Sequence, residues 1–212
     1  MAEPTTGAPA GRRCGFIALI GAPNVGKSTL INALVGAKVT IVSHKVQTTR
    51  TVLRGIAIDG EAQLVFVDTP GIFHPKRRLD RAMVATAWTG AHDADIVGVL
   101  LDARRGIDEE ASALIDRLAG VRRPKILLIN KVDLVDKPAL LAIAQGANER
   151  AALQATFMIS ALTGDGVSDL KHWLAAEVPA LPSDEEVART FRGDGPNVVP
   201  PSYDDVLRSL SA

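Results

Sequence analysis

Residues 21–28 read Gly-Ala-Pro-Asn-Val-Gly-Lys-Ser, with four residues between the glycines and with Lys and Ser directly after the second one. An apolar run at 16–20 precedes this stretch and a helix-like run at 27–35 follows it, so it lies where a strand turns into a helix. Glycines let backbone amides curl around phosphate oxygens, and the helix N-terminus adds positive potential. We therefore predict a phosphate-binding loop, the alternative being an ordinary glycine-rich turn. The predicted loop consists of Gly21, Ala22, Pro23, Asn24, Val25, Gly26, Lys27 and Ser28.

Apolar runs of strand length alternate with helix-like segments along the chain. Strands are predicted at 16–20, 51–58, 63–67, 96–101, 125–129 and 156–159, and helices at 27–35, 79–91, 109–119, 138–149 and 167–177. This alternation predicts an α/β fold whose six-stranded, mostly parallel sheet carries helices on both faces. Asp59-Gly60 is a turn signal, so the runs at 51–58 and 63–67 are expected to form an antiparallel hairpin at one edge.

Composition excludes several classes of protein. The chain has 24 Lys and Arg residues against 24 Asp and Glu residues, so it lacks a global positive field for nonspecific binding of nucleic acid. The only cysteine, Cys14, excludes an internal disulfide and a cysteine-based zinc module. The sequence shows neither a signal-peptide core nor an apolar run long enough to span a membrane, which predicts a cytoplasmic protein.

Domain boundaries follow from shifts in composition. Residues 1–14 are small and polar and are expected to form a flexible tail, and 15–180 are expected to form the folded domain. From 181 to 212 the chain is rich in proline, which breaks long elements, so we interpret this segment as a linker or loosely docked tail.

A second motif follows the strand predicted at 63–67 and reads Asp68-Thr69-Pro70-Gly71. A carboxylate at the end of a buried strand beside the phosphate loop is placed to hold Mg²⁺ through water. Gly71 lets the backbone approach the last phosphate. Taken alone the motif is weak, because strands often end in a turn that begins with Asp.

A third motif, Asn130-Lys131-Val132-Asp133, follows the strand predicted at 125–129. An Asp carboxylate accepts two N–H bonds from the edge of guanine that adenine does not offer, which predicts selectivity for guanine. After the last strand come Ser160 and Ala161, whose small side chains allow a backbone amide to meet a carbonyl on the base.

Together these motifs, with Gln-Thr-Thr-Arg-Thr at 47–51, have the order and spacing of the P-loop GTPases. More narrowly, the chain resembles the Era family of bacterial GTPases through GAPNVGKSTLINALVG, KVTIVSHKVQTTR, FVDTPGIFHPK and ISALTGDGVSDLK. The resemblance covers about residues 15–178 and implies a P-loop GTPase domain that hydrolyses GTP to GDP and phosphate.

The resemblance also implies a role for individual residues. Lys27 would contact the β- and γ-phosphates, and Ser28 would hold Mg²⁺. Thr49 resembles the switch threonine whose hydroxyl reaches Mg²⁺ only when the γ-phosphate is present. Asp68, Thr69, Pro70 and Gly71 would form the second switch, with Asp68 on the metal. Asn130, Lys131 and Asp133 would recognise guanine, and Ser160 and Ala161 would complete the base pocket.

Two positions bear on how GTP would be hydrolysed. Ras-like and translation-type GTPases carry a glutamine after the Asp-x-x-Gly motif to orient water, whereas this chain has Ile72. Asn24 occupies the position at which potassium-activated relatives of Era coordinate K⁺. We therefore hypothesise that K⁺ held by Asn24 supplies positive charge to the phosphates; the alternative is an asparagine that merely forms a turn after Pro23.

The resemblance implies a molecular switch that acts in assembly of the small ribosomal subunit and binds its rRNA, with a monomeric chain and peripheral contact with the inner face of the cell membrane. Era proteins continue into an RNA-binding KH domain with a Gly-x-x-Gly loop, and residues 181–212 contain no such motif. The basic run 76–78 is either an RNA contact or a solvated face. The alternative function is a module that binds guanine nucleotide with little turnover and lacks RNA binding.

Overall fold

The computed structural model describes residues 11–38, 53–68 and 94–181. These contain six strands, β1 Arg13–Gly21, β2 Leu53–Asp59, β3 Ala62–Asp68, β4 Ile96–Asp102, β5 Lys125–Asn130 and β6 Ala155–Ile159. They also contain four α-helices, α1 Lys27–Val35, α2 Glu109–Ala119, α3 Lys137–Asn148 and α4 Val167–Glu177, and a short 3₁₀ helix at Val132–Leu134. The helix predicted at 79–91 lies outside the described residues.

The strands form one sheet in the order β2-β3-β1-β4-β5-β6. All neighbouring pairs are parallel except β2 and β3, whose antiparallel hairpin turns at Gly60 with φ 56°. The prediction of a six-stranded mixed sheet with one antiparallel edge is therefore confirmed.

Two apolar layers bury the two faces of the sheet. One layer packs α2 and α3 against the strands, through residues such as Leu114, Leu118 and Ile143. The other packs α1 and α4 against the opposite face, through Leu30 and Leu170 among others. Every residue of β4 is buried, as expected of a central parallel strand covered on both faces. Both layers consist mainly of aliphatic residues, in keeping with a chain in which only 4% of residues are aromatic.

Arg12–Pro179 form one compact unit, and its two ends meet. The Arg13 guanidinium donates to the carbonyls of Ala176 and Val178, both at 2.8 Å, which satisfies carbonyl groups at the end of α4. Val178 packs onto Gly15, where an added Cβ would come within 2.6 Å of the Val178 side chain. Met1–Gly11 and Ala180–Ala212 form a separate unit that is almost wholly outside the described ranges.

The parallel strands bring their carboxyl ends to one edge of the sheet. Asp102 at the end of β4 is in register with Asn130 at the end of β5, and Asn130 is in register with Ile159 at the end of β6. Gly21 and Asp68 end β1 and β3 at the same edge. Ligands of open α/β sheets bind at this edge, so the fold gathers the predicted motifs where a nucleotide site is expected. Within the three described ranges, no helix has the length and hydropathy needed to cross a membrane.

Candidate nucleotide-binding site

The predicted phosphate loop connects β1 to α1 and requires its glycines. Gly26, the N-cap of α1, has φ 105°, and a Cβ there would overlap Nδ2 of Asn130. A Cβ on Gly21 would lie 2.7 Å from the Leu100 carbonyl oxygen. Asn24 has φ 61°, a left-handed conformation that asparagine tolerates better than most residues do. The loop is therefore a specific backbone shape rather than an arbitrary glycine-rich turn.

Lys27 and Ser28 lie in the first turn of α1, and their side chains are buried. The Lys27 ammonium donates to the carbonyls of Gly21 and Ala22, both at 3.0 Å, so the lysine folds back over its own loop. The first turn of α1 carries no acidic side chain. A buried ammonium at a helix N-terminus that has no acidic side chain in its first turn creates positive potential that suits an anion.

Asn130 joins three loops of the site. Its side chain is almost fully buried, at 2% exposure. Its Nδ2 donates to the Val25 carbonyl at 2.7 Å, and its Oδ1 accepts from the backbone N–H of Ala161 at 2.9 Å. The end of β5 therefore holds the phosphate loop on one side and the Ser160–Ala161 loop on the other.

Lys131 makes a second connection to the phosphate loop. Its ammonium donates to the Asn24 carbonyl at 2.8 Å and to Oδ2 of Asp102 at 2.6 Å. Its backbone is left-handed, with φ 67°, and it is the N-cap of the 3₁₀ helix that contains Asp133. Asp133 is exposed and forms no ion pair with another described residue, so its carboxylate can accept hydrogen bonds from a ligand.

The loop after β6 is closed by its own backbone. Ser160 is fully buried, its N–H donates to the Asp165 carbonyl at 2.9 Å, and its carbonyl accepts from the N–H of Gly164 at 2.8 Å. The Ser160 hydroxyl accepts from the N–H of Thr163 at 3.2 Å. These bonds fix the position of Ala161 at the edge of the site.

Asp102 belongs to the site although no motif singles it out. Its side chain is 3% exposed, and besides Lys131 it accepts from the backbone N–H of Arg104 at 3.0 Å and from the Arg104 guanidinium at 3.3 Å. Burial alone would raise the pKa of this carboxyl, but the hydrogen bonds from Lys131 and Arg104 outweigh that effect and hold the pKa below its ordinary value. Asp102 is therefore charged at neutral pH.

Comparison with known proteins identifies the family. Residues 16–131 match the family model described as "50S ribosome-binding GTPase". Two curated relatives, both called GTPase Era, are 69% identical over 170 residues in Afipia carboxidovorans and 67% identical over 180 residues in Bradyrhizobium diazoefficiens. The chain belongs to the Era GTPase family. The matches cover 80% and 85% of this Era-family chain but 55% and 58% of the relatives, so the chain spans little more than half of their length.

Solved Era structures share the fold of this Era-family domain. Era in complex with MgGDPNP and nucleotides 1506–1542 of 16S ribosomal RNA aligns with TM-score 0.75 at 32% identity, over 81% of this chain and 59% of the other. An Aquifex aeolicus Era variant bound to GDP·AlF4⁻ aligns with TM-score 0.73 at 34% identity, over 81% of this chain and 60% of the other. The likeness supports the P-loop GTPase fold class.

The structure brings together some of the site residues that the Era resemblance implies. Three groups of these residues lie together at one edge of the sheet, joined by the hydrogen bonds of Asn130 and Lys131. They are the phosphate loop, Asn130–Asp133 and Ser160–Ala161. Asp68 is placed there only as the last residue of β3. Thr49, Thr69, Pro70 and Gly71, with the basic run 76–78, lie outside the described residues.

Sequence reasoning missed Asp102 and the connecting role of Asn130. The signal that singled out Asp68, a carboxylate at the carboxyl end of an apolar strand, applies equally to Asp102. The bonds of Asn130 reach residues 105 and 31 positions away, so no local pattern reveals them. In this Era-family site Asn130 holds two loops together, Lys131 contacts Asp102 and the phosphate loop, and Asp133 is exposed.

Proposed function

We propose that this chain binds guanine nucleotide at this edge of the sheet and hydrolyses GTP to GDP and phosphate as a molecular switch. The observation that carries the proposal is that Asn130 and Lys131 bond to the Val25 and Asn24 carbonyls of the phosphate loop. These bonds join the phosphate loop to residues 130–133, for which we propose recognition of the base and which we call the base-recognising loop. Membership of the Era GTPase family supports it, as does the similarity to Era structures that hold guanine nucleotides. Hydrolysis would release the switch segments that carry Thr49 and Gly71.

The phosphates and their metal would bind at the N-terminus of α1. The buried Lys27 and Ser28 and the absence of acidic side chains from the first turn fit a Mg²⁺-phosphate group. Ser28, Thr49 and Asp68 would hold Mg²⁺, directly or through water, and Lys27 would bind the terminal phosphates. When bound, Mg²⁺ neutralises charge on the phosphate oxygens.

The base would be recognised by Asp133, whose exposed carboxylate only accepts hydrogen bonds. The two N–H groups on the guanine edge match that acceptor, whereas adenine would leave it unpaired. Lys131, held between Asp102 and Asn24, would cover the base from the side of the phosphate loop. Ala161 would border the base on the side of β6.

We also propose that K⁺ supports hydrolysis at Asn24. The side chain of Asn24 is exposed at the left-handed turn of the phosphate loop, where it can reach a cation beside the phosphates. Ile72 has no polar group with which to orient water, so this position does not assist hydrolysis. A cation beside the phosphates would stabilise the charge of the transition state instead. Turnover is expected to be several-fold faster in K⁺ than in Na⁺, and Asn24→Ala should abolish that difference. Equal rates of the wild-type chain in the two salts would refute the role of Asn24.

The native role would be assembly of the small ribosomal subunit through its rRNA. One of the similar solved structures is Era in complex with a segment of 16S ribosomal RNA, but that protein is considerably longer than the matched part of this chain. We propose that the compact unit Arg12–Pro179 acts as a monomeric cytoplasmic nucleotide switch. Arg13 and Cys14 belong to β1, so the tail expected over 1–14 is shorter than predicted, and we propose that 181–212 form the second tail. Contact with the small-subunit rRNA and peripheral contact with the inner face of the cell membrane are proposed for the surface of the compact unit.

Competition binding tests the proposed ligand. A fluorescent GDP analogue bound to the 212-residue chain should be displaced by GTP and GDP at micromolar or lower concentration and by ATP only at concentrations at least a hundredfold higher. Lys27→Ala should weaken displacement by GTP more than tenfold, because it removes a buried charge from the phosphates. Equal displacement by ATP and GTP would refute the proposal.

A further inference from the structure

Asp102 is a buried carboxylate in an apolar setting. It is the last residue of β4, in which every residue is buried, and its own side chain is 3% exposed. Removing a carboxylate from water costs several kcal/mol unless partners compensate for it. Such a charge therefore needs partners that hold it in one geometry, and the structure provides them.

The closest partner is the ammonium of Lys131, at 2.6 Å from Oδ2. Lys131 is itself largely covered, with 24% of its side chain exposed. The Arg104 guanidinium is more distant, at 3.3 Å, and 55% exposed, so it is the weaker partner. The Asp102–Lys131 pair thus joins the end of β4 to the start of the base-recognising loop, beside the backbone bond from the Ala103 N–H to the Asn130 carbonyl at 2.9 Å.

The same ammonium continues to the phosphate loop, where it donates to the Asn24 carbonyl at 2.8 Å. Lys131 and Asn24 are the two non-glycine residues with positive φ in the described part of the chain, at 67° and 61°. A left-handed backbone is less favourable for such residues and persists where surrounding contacts enforce it. The side chain of one of these residues therefore contacts the backbone of the other, and Asp102 fixes the position of its ammonium.

We infer that Asp102 is a positioning residue of the nucleotide site, which acts through Lys131 to hold the base-recognising loop and the phosphate loop in their binding geometry. This inference rests on the proposed function, because it assigns Asp102 a part in binding guanine nucleotide. It also accounts for a charged side chain at the end of a strand whose other residues are all apolar and buried.

The first test is Asp102→Asn, which keeps the shape of the side chain and removes its charge. Lys131 then loses its strongest counter-charge and is less firmly held against Asn24. The Kd for GDP is expected to rise by about tenfold or more, since hydrogen bonds between charged groups are stronger than neutral ones by roughly this factor. The matched control is Asp116→Asn, which removes a carboxylate that is 60% exposed and pairs with Arg150; we expect less than a twofold change.

The second test separates positioning from mere stability. If Asp102 acts through Lys131, then adding Asp102→Asn to Lys131→Met should weaken GDP binding no more than twofold beyond Lys131→Met alone. A purely structural role would make the two losses in affinity additive. The double variant removes both members of the buried pair, so if Asp102→Asn alone does not fold, a loss of tenfold or more beyond Lys131→Met still counts against the role of Asp102.

The outcomes distinguish this inference from the proposed function. Binding of GDP by the wild-type chain, with a weakened Asp102→Asn and a non-additive double variant, supports both. A folded Asp102→Asn that binds GDP within twofold of wild type, or additive losses in the double variant, would overturn the role of Asp102 and leave the proposed function standing. A wild-type chain that binds no GDP would overturn both.

Discussion

Asn130→Ala tests whether one buried side chain holds the site together. The amide makes two buried hydrogen bonds, to the Val25 carbonyl at 2.7 Å and from the Ala161 N–H at 2.9 Å. Truncation leaves both backbone groups without a partner in a region where Asn130 is 2% exposed. Each unpaired buried group costs about 1–3 kcal/mol, so the free energy of unfolding should fall by about 2–6 kcal/mol.

That loss is large against the roughly 5–15 kcal/mol by which a domain is ordinarily stable. Urea unfolding in the absence of nucleotide, followed by circular dichroism, measures it without any contribution from ligand binding. The control is Asn148→Ala on α3, since the Asn148 amide also bonds two groups, the Ala144 carbonyl and the Thr156 hydroxyl, but at an exposed position where water replaces it. We expect a loss within about 0.5 kcal/mol for the control. A loss below about 1 kcal/mol for Asn130→Ala, or equal losses for both variants, would refute the reasoning.

Three further predictions concern the base, the closure of the domain and pH. Asp133→Asn should weaken GTP binding by about a hundredfold and favour xanthine nucleotides, because the amide donates where the carboxylate accepts; unchanged GTP affinity in competition binding would contradict the role of Asp133. Gly15→Ala should lower the free energy of unfolding by about 1–3 kcal/mol, because the new Cβ meets the Val178 side chain at 2.6 Å; a stability equal to wild type in urea would exclude this close packing. The pKa of the Asp102 carboxyl is lower in the folded than in the unfolded chain. Its charge therefore stabilises the fold fully above about pH 4, and this effect is lost as the pH falls further. The difference in free energy of unfolding between wild type and Asp102→Asn should accordingly shrink from about pH 6 to about pH 3.

Most of the fold is predictable because its signals are local. The bounds of α1, α2 and α4 agree with the predicted helices, since apolar spacing and a flanking glycine or Asp mark their ends. The strands are less well bounded: β1 begins at Arg13, three residues before its apolar run, because Arg13 and Cys14 pair with β3. The end of a strand depends on where its neighbouring strand stops pairing with it. The hydropathy pattern along the chain carries no information on that pairing.

The site likewise has features that the sequence predicts and features that it does not. The phosphate loop is predicted from Gly21 and Gly26, because their spacing between a strand and a helix is a local pattern. The bonds of Asn130, and the pairing of Asp102 with Lys131 across 29 positions, arise only when the ends of parallel strands meet. An Asp at a strand end can have several structural or functional roles, and only its neighbours in the folded chain show which one it has.

The most direct test of the central claim is release of phosphate from GTP by the 212-residue chain in Mg²⁺ and K⁺, with Lys27→Ala measured in parallel. We predict repeated turnover of GTP by the wild-type chain, no comparable turnover of ATP, and a loss of at least tenfold in Lys27→Ala. Tight binding of GTP without turnover would contradict the hydrolytic switch and leave a guanine-nucleotide-binding module. Turnover unaffected by Lys27→Ala would show that the activity does not arise at this site.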